Sequence, residues 1–121
     1  MLYSIESGKY IKTIPHQKEF YAWMKNLSSS DYLAIEDELN SRIDGSDVNT
    51  SSWMPGNDWT GTVFEPIYHA CDDNIEISGM FFGLILFKIM IERSDVWGFG
   101  RYEKDGVPIK GMTYFKLHHK P

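Results

Sequence analysis

Residues 75–91 read IEISGMFFGLILFKIMI, an apolar stretch in which only Glu76, Ser78 and Lys88 are polar. A membrane span takes about 20 predominantly apolar residues. This run is shorter and carries two charges, so the expectation is a buried element of a soluble domain, with no membrane partner. Two conformations compete for it. Every odd position from Ile75 to Ile91 is apolar or glycine, the alternation of a strand. Length, the leucine and methionine content and the ends favour a helix near 74–93. Asp73-Asn74-Ile75-Glu76 sets a capping side chain three residues before a glutamate, and Glu92-Arg93-Ser94-Asp95 closes the far end. As a helix it is apolar nearly all round and must be covered on most sides. Gly79 and Gly83 then lie one turn apart, where another backbone has room to approach. In two strands they mark a bend or bulge instead.

The rest of the chain reads as a cover for that run. A length of 121 residues suits one domain with a single core. Aromatic residues make up 15%, a high share that favours a packed domain over a disordered one. The single cysteine, Cys71, has no internal partner for a disulfide, which suits a reducing compartment. MLYSIESGKY lacks the basic-then-apolar order of a secretory signal, so a cytoplasmic protein is expected.

The net charge of -5 is unevenly placed. From Asp31 to Glu76 there are eleven acidic residues and one basic residue, Arg42. The remainder holds six acidic and eleven basic residues. Nucleic-acid backbones call for clustered Lys and Arg, so no nucleic-acid partner is expected. An acidic middle fits a basic protein partner or a cation, or it is a solvated face that aids solubility.

Taken in order, Met1–Ile5 and Lys9–Ile14 read as a short hairpin or two edge strands around Ser7-Gly8. Pro15 opens a helical pattern, with Phe20, Trp23, Met24 and Leu27 on one stripe. Ser28-Ser29-Ser30 breaks it and caps a second helix with Tyr32, Ile35, Leu39 and Ile43 inward, ended by a left-handed turn at Gly45. The pair reads as a helical hairpin. It is no DNA-binding helix-turn-helix, because its second helix is acidic. A polar loop spans 46–57. Asn57-Asp58, or Thr62 with Glu65, then caps a third helix through Ile67, Tyr68, Ala70 and Cys71. After the apolar run, Val96–Tyr102 and Ile109–Leu117 flank Lys104-Asp105-Gly106, a hairpin signal. The tail His118-His119-Lys120-Pro121 is expected to fray. The order strands, four helices, strands predicts a single α+β domain over 1–121. Its terminal hairpins would share one antiparallel sheet packed against about four helices.

Three groups of residues carry candidate chemistry. In WMPGNDWTGT, Trp53 and Trp59 flank a Pro-Gly turn with Asp58 between them, a pattern that suits a ligand wall on a loop. The plainer reading has both indoles plugging the core and Asp58 capping a helix. Tyr68-His69-Ala70-Cys71-Asp72-Asp73 places His69 and Asp73 on one helical face, with His118 and His119 as remote additions. No spacing there is diagnostic of zinc, and no metal or cofactor is assigned. Cys71 and His69 point apart on a helix, so they make no nucleophile pair. Trp97 and Arg101 share one face of a strand, where Arg101 holds an anion or stacks on an indole. Phosphate-binding glycine motifs are absent, since Gly98 and Gly100 have no helix after them.

WMPGNDWTGT, DVWGFGRYEKDG and GMTYFKL, in a small acidic domain rich in Trp and Met, resemble the orphan proteins encoded by bacterial integron gene cassettes. The resemblance spans the full length. It implies a bacterial, cytoplasmic, stand-alone protein. It transfers no catalytic residue, because that group shares no single fold or activity.

Two functions fit these readings. One is a small-molecule binding module whose pocket lies near the Trp53–Trp59 loop and gathers Trp53, Asp58, Trp59, Tyr68, His69, Trp97 and Arg101. The alternative is an interaction protein, of the inhibitor or immunity type, that uses the acidic middle. A large apolar cleft beside the loop would favour the first, and an exposed acidic face without a cleft the second. Nothing in the sequence specifies a reaction or an oligomeric state.

Overall fold

The computed structural model describes residues 1–56, 58–119 and 121. The chain runs β1 (Leu2–Ser4), β2 (Lys9–Ile11), α1 (Gln17–Met24), α2 (Ser29–Asp44), β3 (Val48–Thr50), α3 (Glu65–Ala70), α4 (Ile75–Glu92), β4 (Trp97–Gly100), β5 (Glu103–Lys104), β6 (Val107–Pro108) and β7 (Thr113–Lys116). Among the described residues this is an α+β fold with four helices. Asn57, a candidate cap, and Lys120, in the tail, lie outside the described residues.

The apolar run is one helix, α4. Its start is satisfied one residue later than the capping pattern suggests. The Asn74 side chain accepts from the amide of Ile77 at 3.0 Å, and Ser78 Oγ donates to the Asn74 carbonyl at 2.6 Å. Asp72 and Asp73 instead take left-handed turn conformations, φ 54° and 57°, which short polar side chains tolerate. The helix buries Phe81, Phe82, Ile85, Leu86, Ile89 and Met90. Among the described residues no backbone approaches Gly79 or Gly83, since a Cβ at either would meet nothing within 4 Å. Among the described residues no helix is long and apolar enough to cross a membrane.

The other helices lean on α4. Phe20 and Trp23 of α1 meet Phe81, with ring centroids 5.8 and 5.7 Å away. The α1 start differs from expectation: Pro15 precedes the helix, and His16 takes the cap position at φ 52°. Ser28 caps α2 by accepting from the Asp31 amide, and Ile35, Leu39 and Ile43 are buried. Gly45 ends α2 at φ -82°, so no left-handed turn forms there. The Gly45 amide bonds the Arg42 and Ile43 carbonyls, which closes the helix without it. Phe64, with no side-chain cap, begins α3. Thr62 accepts from the Phe64 amide at 3.2 Å but makes no reciprocal pair with Glu65.

Five strands form one sheet in the order β2-β1-β4-β7-β3. The terminal segments do share it. The sheet is mixed rather than antiparallel, because β1 pairs β4 in parallel, Leu2 opposite Trp97 and Tyr3 opposite Gly98. A parallel neighbour needs a long crossover, and the helical layer between β2 and β4 supplies it. β4 and β7 are antiparallel, with Phe99 opposite Tyr114. The Asp105-Gly106 turn lies in a separate ribbon of β5 and β6, both residues left-handed as a tight hairpin turn requires. β3, from a segment expected to be loop, closes the far edge against β7.

One sheet face packs on the helices. Phe99 meets Phe87 edge-on at 5.7 Å, and Leu2, Trp97 and Tyr114 are buried beside it. The other face carries Tyr3 against Tyr10 at 5.2 Å and Phe115 against Tyr102 at 6.1 Å. Gly98 lies under the Phe115 ring, where a Cβ would collide with it.

At the β3–β7 end, Gly111 has φ 86°, and a Cβ there would strike Ser51 Oγ. That oxygen is held in place by the amide of Met112, which donates to it at 2.9 Å. Gly111→Ala combines a left-handed backbone with overpacking and is expected to cost about 2 kcal/mol. Urea denaturation measures it, and a loss under about 0.5 kcal/mol would mean the turn relaxes freely.

Candidate functional site

The loop after β3 is built around an anchored tryptophan. Trp59 Nε1 donates to the Gly56 carbonyl at 3.2 Å, and its ring lies 5.8 Å from Phe82 and 6.4 Å from Phe64. Trp59 thus extends the core. Asp58 is exposed and closes a turn by accepting from the Thr60 amide at 3.0 Å. Hydrogen bonds from Thr60 hold its carboxyl below the ordinary carboxylate range. Trp53 stands 61% exposed. Arg42 straps the loop to α2: it donates to the Met54 carbonyl and to Glu38, and its guanidinium lies 5.0 Å over the Phe64 ring.

The remaining candidates lie elsewhere. His69, on α3, is exposed and pairs with Asp73 at 2.7 Å, while the half-buried Tyr68 meets the His69 ring edge-on at 5.7 Å. Among the described residues no three His, Cys, Asp or Glu side chains are placed to hold a metal ion. Burial pushes the Cys71 thiol above its usual range, with a Ser78 hydrogen bond opposing, so it is a poor nucleophile. Trp97 is 1% exposed. It follows the far end of α4, whereas Trp59 touches Phe82, ten residues or about 15 Å earlier along the helix. Trp97 is therefore a core residue rather than a ligand wall. Exposed Arg101 donates to the Gly111 carbonyl at 3.3 Å, on the sheet. The seven residues are thus spread over the loop, α3, the core and the sheet rim.

Two concavities flank the second half of α4. One, of about 240 Å³, lies between α2 and α4 and is lined by Glu36, Asn40, Ile89, Glu92 and Arg93. The other, of about 180 Å³, is lined on the α1 side by residues that include Lys12, Gln17, Tyr21, Lys88 and Glu92. None of the seven sequence candidates lines either one.

A polar network stiffens this region. Arg93 reaches both oxygens of Asp95 at 2.9 Å, Asn40 Oδ1 at 2.8 Å and Asp44 at 2.5 Å. Those hydrogen bonds hold the Asp95 carboxyl below its usual range, against partial burial. Lys88, the one cation inside the apolar run, pairs with Glu92 one turn on, and its nitrogen lies 5.8 Å from the Tyr32 ring centre. Burial works to lower its pKa, but the Glu92 hydrogen bond and the neighbouring charges outweigh that and raise it. The Tyr32 hydroxyl is buried, and its polar neighbour is the Lys88 ammonium.

None of Glu36, Asn40, Glu92 or Arg93 stood out as a site residue in the sequence. The available signal was spacing. Glu36 and Asn40 lie one turn apart beside the apolar stripe of α2, as Lys88 and Glu92 do on α4. Comparison with known protein families, with curated proteins and with solved structures finds no match.

Proposed function

We propose that this protein is an interaction module whose acidic middle segment engages a basic protein partner. One observation carries the reading. The α2 side of the molecule presents acidic side chains around a concavity of about 240 Å³, below the roughly 300–1,000 Å³ of ordinary ligand pockets. Asp37 is exposed on α2, and Asp72, Asp73 and Glu76 are exposed at the α3–α4 turn. The single buried cysteine suits a cytoplasmic setting. The resemblance to integron-cassette proteins is compatible with this reading, since it names no activity.

A labelled oligoarginine peptide tests it by fluorescence anisotropy. Binding is expected at about 50 mM salt and should weaken by more than about tenfold by 500 mM, because exposed charges are screened. No binding at low salt, or affinity unchanged in molar salt, overturns it.

Small-molecule binding beside the Trp53–Trp59 loop is the second reading. It is favoured by the exposure of Trp53 next to the anchored Trp59. A thermal-shift screen with a ligand library addresses it, since a ligand of the native state raises apparent stability.

A further inference from the structure

We propose that the groove between α2 and α4 receives the guanidinium of an arginine side chain from the basic partner. This rests on the reading of the acidic segment as a protein-binding face and names its anchor. A volume of about 240 Å³ suits one long side chain rather than a whole ligand. The lining is graded to match. Buried Ile89 offers apolar surface for the methylene stem, while Glu36 from α2 and Glu92 from α4 supply carboxylates for the head.

The charges near the groove favour a cation. Glu36 has no ion pair among the described residues, and Glu92, though paired with Lys88, stays half exposed. Arg93 also lines the groove, but its guanidinium is already bonded to Asp44, Asp95 and Asn40. Glu36, Asp44, Glu92 and Asp95 set against Lys88, Arg93 and the Met1 ammonium, which donates to the Asp95 carbonyl, leave one net negative charge. Arginine is favoured over lysine because its planar fork of five donors can address two carboxylates together.

The test has two arms. In the first, N-acetylarginine amide and N-acetyllysine amide are titrated into the wild-type protein and followed by amide NMR. The arginine probe is expected to give saturable shifts centred on Glu36, Asn40, Ile89 and Glu92, with smaller ones from the lysine probe. Shifts spread evenly over the acidic surface overturn the proposal. In the second, the oligoarginine peptide is bound to E36Q/E92Q and to the charge-matched D72N/E76Q, each with its thermal midpoint checked. E36Q/E92Q should weaken binding by about tenfold or more and D72N/E76Q by less than about threefold. Equal losses overturn the groove and leave the general acidic face standing. A wild-type protein that binds no oligoarginine overturns both.

Discussion

Ile85→Asp is expected to leave no cooperatively folded protein. Ile85 is 0% exposed in the middle of α4, the helix on which the other three lean. The substitution removes a buried aliphatic side chain, worth about 2–5 kcal/mol with its cavity. It also strands a carboxylate among apolar groups, a further cost of several kcal/mol even after protonation. Domains of this size have roughly 5–15 kcal/mol in hand. Met80→Asp is the internal control: it sits on the same helix but is 53% exposed, so it should change stability by less than about 1 kcal/mol. Circular dichroism melts of both variants decide the matter. A normal transition for Ile85→Asp would show that α4 is not the centre of the fold.

Arg93→Met should cost about 2–3 kcal/mol, between the values for exposed and buried ion pairs. The Arg93 side chain is 14% exposed and joins the last turn of α2 to the connection between α4 and β4. Methionine keeps the apolar stem and removes the four hydrogen bonds, leaving Asp95 without its partner. The thermal midpoint should fall by about 8–12 °C at pH 7. The pH dependence supplies a second readout. The folded-state pKa of Asp95 lies below its unfolded value near 3.9, so its contribution is complete above that pH and is lost as pH falls through the folded value. Wild type should therefore lose this increment on acidification below about pH 4, and Arg93→Met should lack it. Parallel pH profiles for the two proteins would remove Arg93 from this role.

The parts of the fold legible in the sequence are those with local causes. The stripe Phe20, Trp23, Met24, Leu27 and the stripe Ile35, Leu39, Ile43 follow from 3.6-residue periodicity, which needs no knowledge of the partner surface. Ser28 caps α2 through its own neighbours, and Asp105-Gly106 turns a ribbon through its own φ angles. Even the error at the start of α4 is local: Asp73 and Asn74 both have capping side chains, and the left-handed backbone of Asp73 leaves the role to Asn74.

Other features depend on segments far apart in the chain. Strand periodicity says which side chains share a face but not which edge a strand joins or in which direction. The parallel pairing of β1 with β4 and the recruitment of residues 48–50 as an edge strand were therefore not readable. For the same reason Trp97, an aromatic on a strand, could face either way. The register opposite Leu2 and the packing of Phe99 on Phe87 turn it into the core. The groove is the most distant case. Glu36, Asn40, Glu92 and Arg93 become neighbours only because α2 crosses α4, and Arg93 finds Asp44 from 49 residues away. By itself the chain determined a buried apolar helix, its amphipathic companions and an acidic middle, because periodicity, capping and charge act over a few residues. Only the tertiary structure decided where that acidity meets a concave surface, because side-chain convergence is set by how whole elements cross.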